Sequence, residues 1–105
     1  HVVRGADLLN STPQQIYLQQ QLNLATAHYA HVPVAMHQTG QKLSKSHRSL
    51  AVNDKQSVKT LCDVMRFLNL SPPASLESEN LEAFWLWAQG AWCIDKIQPQ
   101  QQIIV

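Results

Sequence analysis

Gly40-Gln41-Lys42-Leu43-Ser44-Lys45-Ser46 is the stretch that decides how this chain is read. Two lysines three residues apart frame one apolar residue and one hydroxyl, and Gly40-Gln41 leads in as an exposed turn. Lysine carries a compact point charge on a flexible stem, which suits it to meeting a polyphosphate from the side. Two such charges on one loop can follow a triphosphate as its α-phosphorus becomes crowded and pyrophosphate departs. By spacing alone an ordinary solvated Lys/Ser loop is the commoner outcome, so the decision rests on what surrounds the stretch.

Upstream, His1-Val2-Val3 is short and β-branched, reads as the close of a buried strand, and is ended by Arg4-Gly5. Strand ends are where an open α/β sheet presents ligand-binding groups. Arg4 there has two readings: a planar fork of donors for a carboxylate, or an ion pair with Asp7. Asp7 reads as a supporting or helix-start residue. Thr12-Pro13-Gln14-Gln15 predicts a helix start, with Thr12 as cap, Pro13 at the first helical position and Gln15 reaching back as in a capping box. The helix continues through Ile16, Leu18 and Leu22, with Tyr17 as a packing residue. Tyr29 to Met36 reads as a second strand carrying Val32, Val34 and Met36, with Pro33 at an edge or entry position. His31 on it is either a satisfied core histidine or a support for a nucleotide site.

Downstream, Asn53-Asp54 is a turn and capping cluster. Val58, Leu61, Cys62, Met65 and Leu68 then share one face at helical spacing, and Asn69-Leu70-Ser71-Pro72-Pro73 stops that helix. Ser78 is placed as the cap of another helix, with Glu79 and Glu82 in its first turn. Leu81, Phe84, Trp85, Ala88 and Trp92 are its apolar stripe, read as the core of a helical hairpin in preference to a stacking platform for bases. Residues 94–105 read as a tail.

A chain of 105 residues is one domain at most, or part of a larger one. It opens on His1 without an initiator Met, which suggests a piece of a longer protein. A hydrophobic share of 45% argues against disorder, and neither a bilayer-length apolar run nor a secretory signal is present. The net charge of +1 hides a local concentration: Lys42, Lys45, Arg48, Lys55, Lys59 and Arg66 fall within 25 positions, opposed there by Asp54 and Asp63. Such a stripe serves either a phosphate backbone or plain solvation. Cys62 and Cys93 are far apart and outside any Cys-x-x-Cys pair, which predicts buried free thiols in a reducing cytoplasm. His28, His31 and His37 form no closed ligand set at zinc-site spacing, so no metal site is expected in this chain.

Lys42-Leu43-Ser44-Lys45-Ser46 resembles the Lys-Met-Ser-Lys-Ser signature of class I aminoacyl-tRNA synthetases. Residues 1–18, from His1-Val2-Val3-Arg4-Gly5 through Ser11-Thr12-Pro13, resemble the segment preceding it in glutamyl- and glutaminyl-type enzymes, and His31-Val32-Pro33-Val34-Ala35 is similar to the family's His-x-Pro-Leu strand. The subfamily it resembles best is that of the glutamyl-Q tRNA(Asp) synthetases, which lack an anticodon-binding domain.

That resemblance implies an α/β, mostly helical fragment. Residues 1–52 would be the C-terminal part of a Rossmann-like catalytic domain, and residues 53–105 a small α-helical subdomain like the family's stem-contact region. It implies ATP with Mg2+, glutamate and tRNA(Asp) as partners, no membrane or DNA, and cytoplasmic work. Lys45, then Lys42, would be catalytic. Lys42, Leu43, Ser44, Lys45, Val34, Ala35 and His31 would meet ATP, with backbone groups near Val34 and Ala35 at the adenine ring, and Arg4 would bind a glutamate carboxylate. Family zinc cysteines would lie upstream of His1. The His-Ile-Gly-His-type signature is not in this sequence, so these 105 residues alone are expected to be inactive. Two other readings stay open: part of an ordinary glutamyl- or glutaminyl-tRNA synthetase, and a non-catalytic tRNA-binding module.

Overall fold

A computed structural model describes residues 1–43 and 54–105. Ser44, Lys45 and Ser46, with the rest of 44–53, lie outside the described residues. About half of the chain is helical and the sheets are short. Contacts divide it into two units, residues 1–47 with 99–105, and residues 48–98.

In the first unit, β1 (Val2–Gly5) and β2 (Tyr29–Val32) pair in parallel, from Val2 opposite Tyr29 to Gly5 opposite Val32. Parallel strands need a crossover, supplied by a 3-10 turn over Ala6–Ser11 and helix α1 (Thr12–Gln21). Val3 is 60% exposed, so β1 is not the fully buried strand its β-branched run suggests. Tyr17 is also exposed, on an α1 whose apolar residues form no clear stripe. α1 closes on Asn23 at φ 54°, with Asn23 N–H donating to Gln20 O and Leu24 N–H to Gln19 O. This pair of bonds satisfies the last helical carbonyls through a left-handed residue, a conformation asparagine tolerates.

Pro33 divides the expected second strand in two. β2 ends before it, and β3 (Val34–Met36) belongs to a different parallel pair, with β4 (Gln102–Ile104). Residues 94–105 are therefore more than a tail: Gln102, Ile103 and Ile104 stand opposite Val34, Ala35 and Met36. Ala6, Val34 and Met36 are the buried core of this unit.

In the second unit, α2 (Ser57–Phe67) buries Val58, Cys62 and Met65 on the face that the spacing predicts. It ends like α1, on Asn69 at φ 61°, with Asn69 N–H donating to Arg66 O and Leu70 N–H to Met65 O. α3 (Leu81–Ala91) begins later than the sequence suggests. Its cap is Asn80, whose side chain accepts from Ala83 N–H at 2.9 Å, while Ser78 belongs to a preceding 3-10 turn. The expected stripe divides: Phe84 and Ala88 are buried, whereas Leu81, Trp85 and Trp92 are exposed. Phe84 and Ala88 join Val58, Cys62, Met65, Leu70 and Leu76 in one core, with Leu61 and Trp87 packed against it. No helix among the described residues is long and apolar enough to cross a membrane.

Candidate active site

Arg4 is held by the elements around it. Its Nε donates to His31 Nε2 at 3.3 Å, Nη1 to Gln15 Oε1 at 2.6 Å and Nη2 to Thr12 Oγ1 at 2.7 Å. The Tyr29 ring lies 4.9 Å from its central carbon, within cation–π range. β1 supplies Arg4, β2 supplies Tyr29 and His31, and the first turn of α1 supplies Thr12 and Gln15. His31 Nε2 accepts in this arrangement, which places the ring proton on Nδ1. The Thr12 hydroxyl also lies 3.2 Å from Leu8 O and 3.1 Å from His31 Nε2.

This changes the meaning of the helix start. The Ser11 cap position makes no side-chain bond, and Thr12 and Gln15 accept from the guanidinium in place of capping the helix N–H groups, while the Thr12 hydroxyl donates to Leu8 O. Threonine and glutamine suit a capping box as well as they suit an arginine, so the sequence does not separate the two uses. The Arg4–Asp7 pair does not form either. Asp7 meets Lys42, Nζ to Oδ2 at 2.6 Å, both side chains partly exposed. A guanidinium has five N–H groups. With three committed, one on each terminal nitrogen remains among the described residues, the number a bidentate carboxylate takes.

Lys42 reaches Asp7 because the chain reverses after β3. Gly40, at φ 79°, donates its N–H to His37 O, and His37 N–H donates to Gln41 O at 2.7 Å. Lys42 then lies in an antiparallel bridge with Met36, and Leu43 N–H donates to Ala35 O at 3.0 Å. Gly5 leaves room for the ion pair: a Cβ there would collide with Asp7 Oδ1. The Lys42 ammonium holds the Asp7 carboxyl below its ordinary pKa, chiefly through their hydrogen bond.

Ala6, Asp7, Val34, Met36, Lys42, Gln101 and Gln102 line a cleft of about 120 Å³. Small-molecule sites enclose roughly 300–1,000 Å³, so this cleft alone is smaller than such a site. Beside it Val34 N–H donates to Gln101 O at 2.9 Å and the Ala35 carbonyl is taken by Leu43. Of the predicted residues, the structure brings His31 to Arg4 and places Lys42 with Val34 along the cleft. Ser44 and Lys45 lie outside the described residues. Among the described residues no cluster of three His, Cys, Asp or Glu suits a metal. The basic stripe is partly neutralised: Arg66 pairs with Asp63 at 2.7 Å and with Glu77, which raises its pKa.

A parallel strand pair thus carries a held arginine at its end, and the turn after β3 delivers Lys42 to Asp7. Residues 1–70 match the family of tRNA synthetases class I (E and Q), catalytic domain, and the chain belongs to that family. It is similar to proteins named glutamyl-Q tRNA(Asp) synthetase. One from Photobacterium profundum is 40% identical over 104 residues, 99% of this chain and 34% of that protein. One from Dechloromonas aromatica is 41% identical over 104 residues, again 99% and 34%. One from a Janthinobacterium species is 46% identical over 93 residues, 88% of this chain and 30% of that protein. The chain thus spans about a third of the length of these relatives.

Proposed function

We propose that these residues serve a glutamyl-Q tRNA(Asp) synthetase, an ATP-dependent ligase that activates glutamate and transfers it to the queuosine base of tRNA(Asp). The observation that carries this reading is the pairing of a caged Arg4 at the end of β1 with Lys42 set at the β3 turn, in a chain of the glutamate and glutamine family. Residues 1–52 are the C-terminal part of its Rossmann-like catalytic domain, and residues 53–105 a helical stem-contact-like subdomain.

Arg4 binds a glutamate carboxylate through the two remaining N–H groups. A glutamate carboxylate oxygen attacks the α-phosphorus of ATP, the bond from that phosphorus to the bridging oxygen breaks, and pyrophosphate leaves. Lys45 and Lys42 neutralise the departing charge, with Ser44 and Leu43 backbone groups on phosphate oxygens and the strand around Val34 and Ala35 beside adenine. His31 supports the site from the amino-acid side, through Arg4. A queuosine hydroxyl then attacks the activated carbonyl and loses its proton to solvent. The bond from the carbonyl carbon to the phosphate oxygen breaks, and AMP leaves with that electron pair. Mg2+ arrives with ATP and offsets phosphate charge when bound. The setting is the cytoplasm, in keeping with Cys62 and Cys93 as free thiols.

The test uses a polypeptide of full family length that carries these residues. Labelled glutamate is offered with ATP and tRNA(Asp) containing or lacking queuosine. Incorporation that requires queuosine supports the reading; transfer to the terminal ribose, or none, overturns it. The 105 residues alone are expected to make no glutamyl-adenylate.

A further inference from the structure

Thr12 and Gln15 lie on α1, outside the lysine loop and the strands, yet the side chains of both accept from Arg4, and the Thr12 hydroxyl is itself anchored on Leu8 O. Thr12 is 8% exposed, a buried polar residue among the described residues of this unit. We propose that Thr12 and Gln15 are positioning residues for the amino acid: they fix the Arg4 guanidinium so that one N–H on each terminal nitrogen is left for the substrate carboxylate. This rests on Arg4 being the glutamate-binding residue, and adds which groups aim it.

The geometry divides the work. His31 takes the Nε hydrogen, and Gln15 and Thr12 take one hydrogen from each terminal nitrogen. The Tyr29 ring beside the guanidinium limits its tilt. None of the three acceptors is a carboxylate, so the guanidinium is not neutralised before an anion arrives. An internal carboxylate in any of these places would occupy Arg4 in advance. That makes Gln15 a telling position: glutamine holds the fork without neutralising it, and glutamate has the same reach with a competing charge.

The test measures KM for glutamate and for ATP separately, with kcat, in the full-length enzyme that carries these residues. Thr12→Val is expected to raise KM for glutamate about tenfold, the loss of roughly one hydrogen bond to a charged group, and to leave KM for ATP unchanged. Thr12→Ser restores it. Gln15→Glu is expected to raise KM for glutamate at least as much while thermal stability holds or rises, which a purely structural role for Gln15 would not produce. Because Gln15 is half-buried, this variant keeps the test usable if Thr12→Val fails to fold. Arg4→Lys separates the two levels of the argument. If it leaves KM for glutamate unchanged, the reading of Arg4 is wrong, and the positioning roles go with it. If it raises that KM while Gln15→Glu and a folded Thr12→Val do not, the positioning inference alone is overturned.

Discussion

Replacing Phe84 by alanine is the severest test of the helical unit. Phe84 is 1% exposed and sits in one buried cluster with Val58, Cys62, Met65, Leu70, Leu76 and Ala88. Its ring meets Trp85 edge-on at 5.1 Å between centroids and Trp87 at 6.3 Å. Truncating a phenylalanine of this burial costs about 3–5 kcal/mol, as lost transfer energy plus the cavity left behind. A unit of about 50 residues has only roughly 2.5–7.5 kcal/mol of stability in total, so the loss approaches the whole. All three tryptophans, Trp85, Trp87 and Trp92, lie in this unit, so their fluorescence reports on it alone. With a urea dependence of about 1 kcal/mol per molar, the midpoint should fall by about 3 M or more, or the unit should be unfolded without urea. Leu86→Ala on the same helix is the control. Leu86 is 77% exposed, and its loss should stay within about 0.5 kcal/mol. Equal midpoints for the two variants would show that the core does not lie on this face of α3.

Four further outcomes are expected. Cys62 is fully buried and burial pushes its thiol pKa up, while Cys93 is only partly covered, so a thiol reagent at neutral pH should label Cys93 first, as peptide mapping will show. Because Lys42 holds the Asp7 carboxyl below its ordinary value, their pair is complete above about pH 4 and lost only as pH falls through the lowered pKa; NMR of the Asp7 carboxyl checks this, and Lys42→Ala should return it toward that value. Asn69→Gly should keep the left-handed turn, whereas Asn69→Val should cost about 1–2 kcal/mol in a thermal melt, since a β-branched residue resists φ 61°. In a full-length enzyme, Lys45→Ala should slow glutamate-dependent pyrophosphate exchange about a hundredfold, and an unchanged rate would favour a non-catalytic module.

What the sequence made legible was local. The α2 stripe of Val58, Cys62 and Met65 is visible because a single helical period carries it, and its end is visible because Asn69 and the prolines leave few alternatives. What it hid was decided by partners far along the chain. Gln102-Ile103-Ile104 is too short to show alternation, and the strand that pairs with it begins at Val34. Thr12 and Gln15 have the right chemistry for a helix cap, and only the folded position of Arg4 draws them away. On α3, the face that packs is Phe84, Trp87 and Ala88, at spacings of three and four; the predicted stripe omits Trp87 and includes the exposed Leu81, Trp85 and Trp92. Spacing and strand position left both Lys42 and Arg4 open between two uses, and the counter-ion of Lys42 was invisible because Asp7 lies 35 positions away.

The pairing of β3 with β4 also sets an order of events during synthesis. Met36 leaves the ribosome some 66 residues before Gln102, which at 5–20 residues per second is roughly 3–13 s. In that interval the whole helical unit is translated, while β3 carries an unclaimed row of backbone donors and acceptors toward its absent neighbour. Nascent chains stalled before residue 99 should therefore recruit chaperones or one another through that edge more readily than chains stalled once residues 102–104 have emerged.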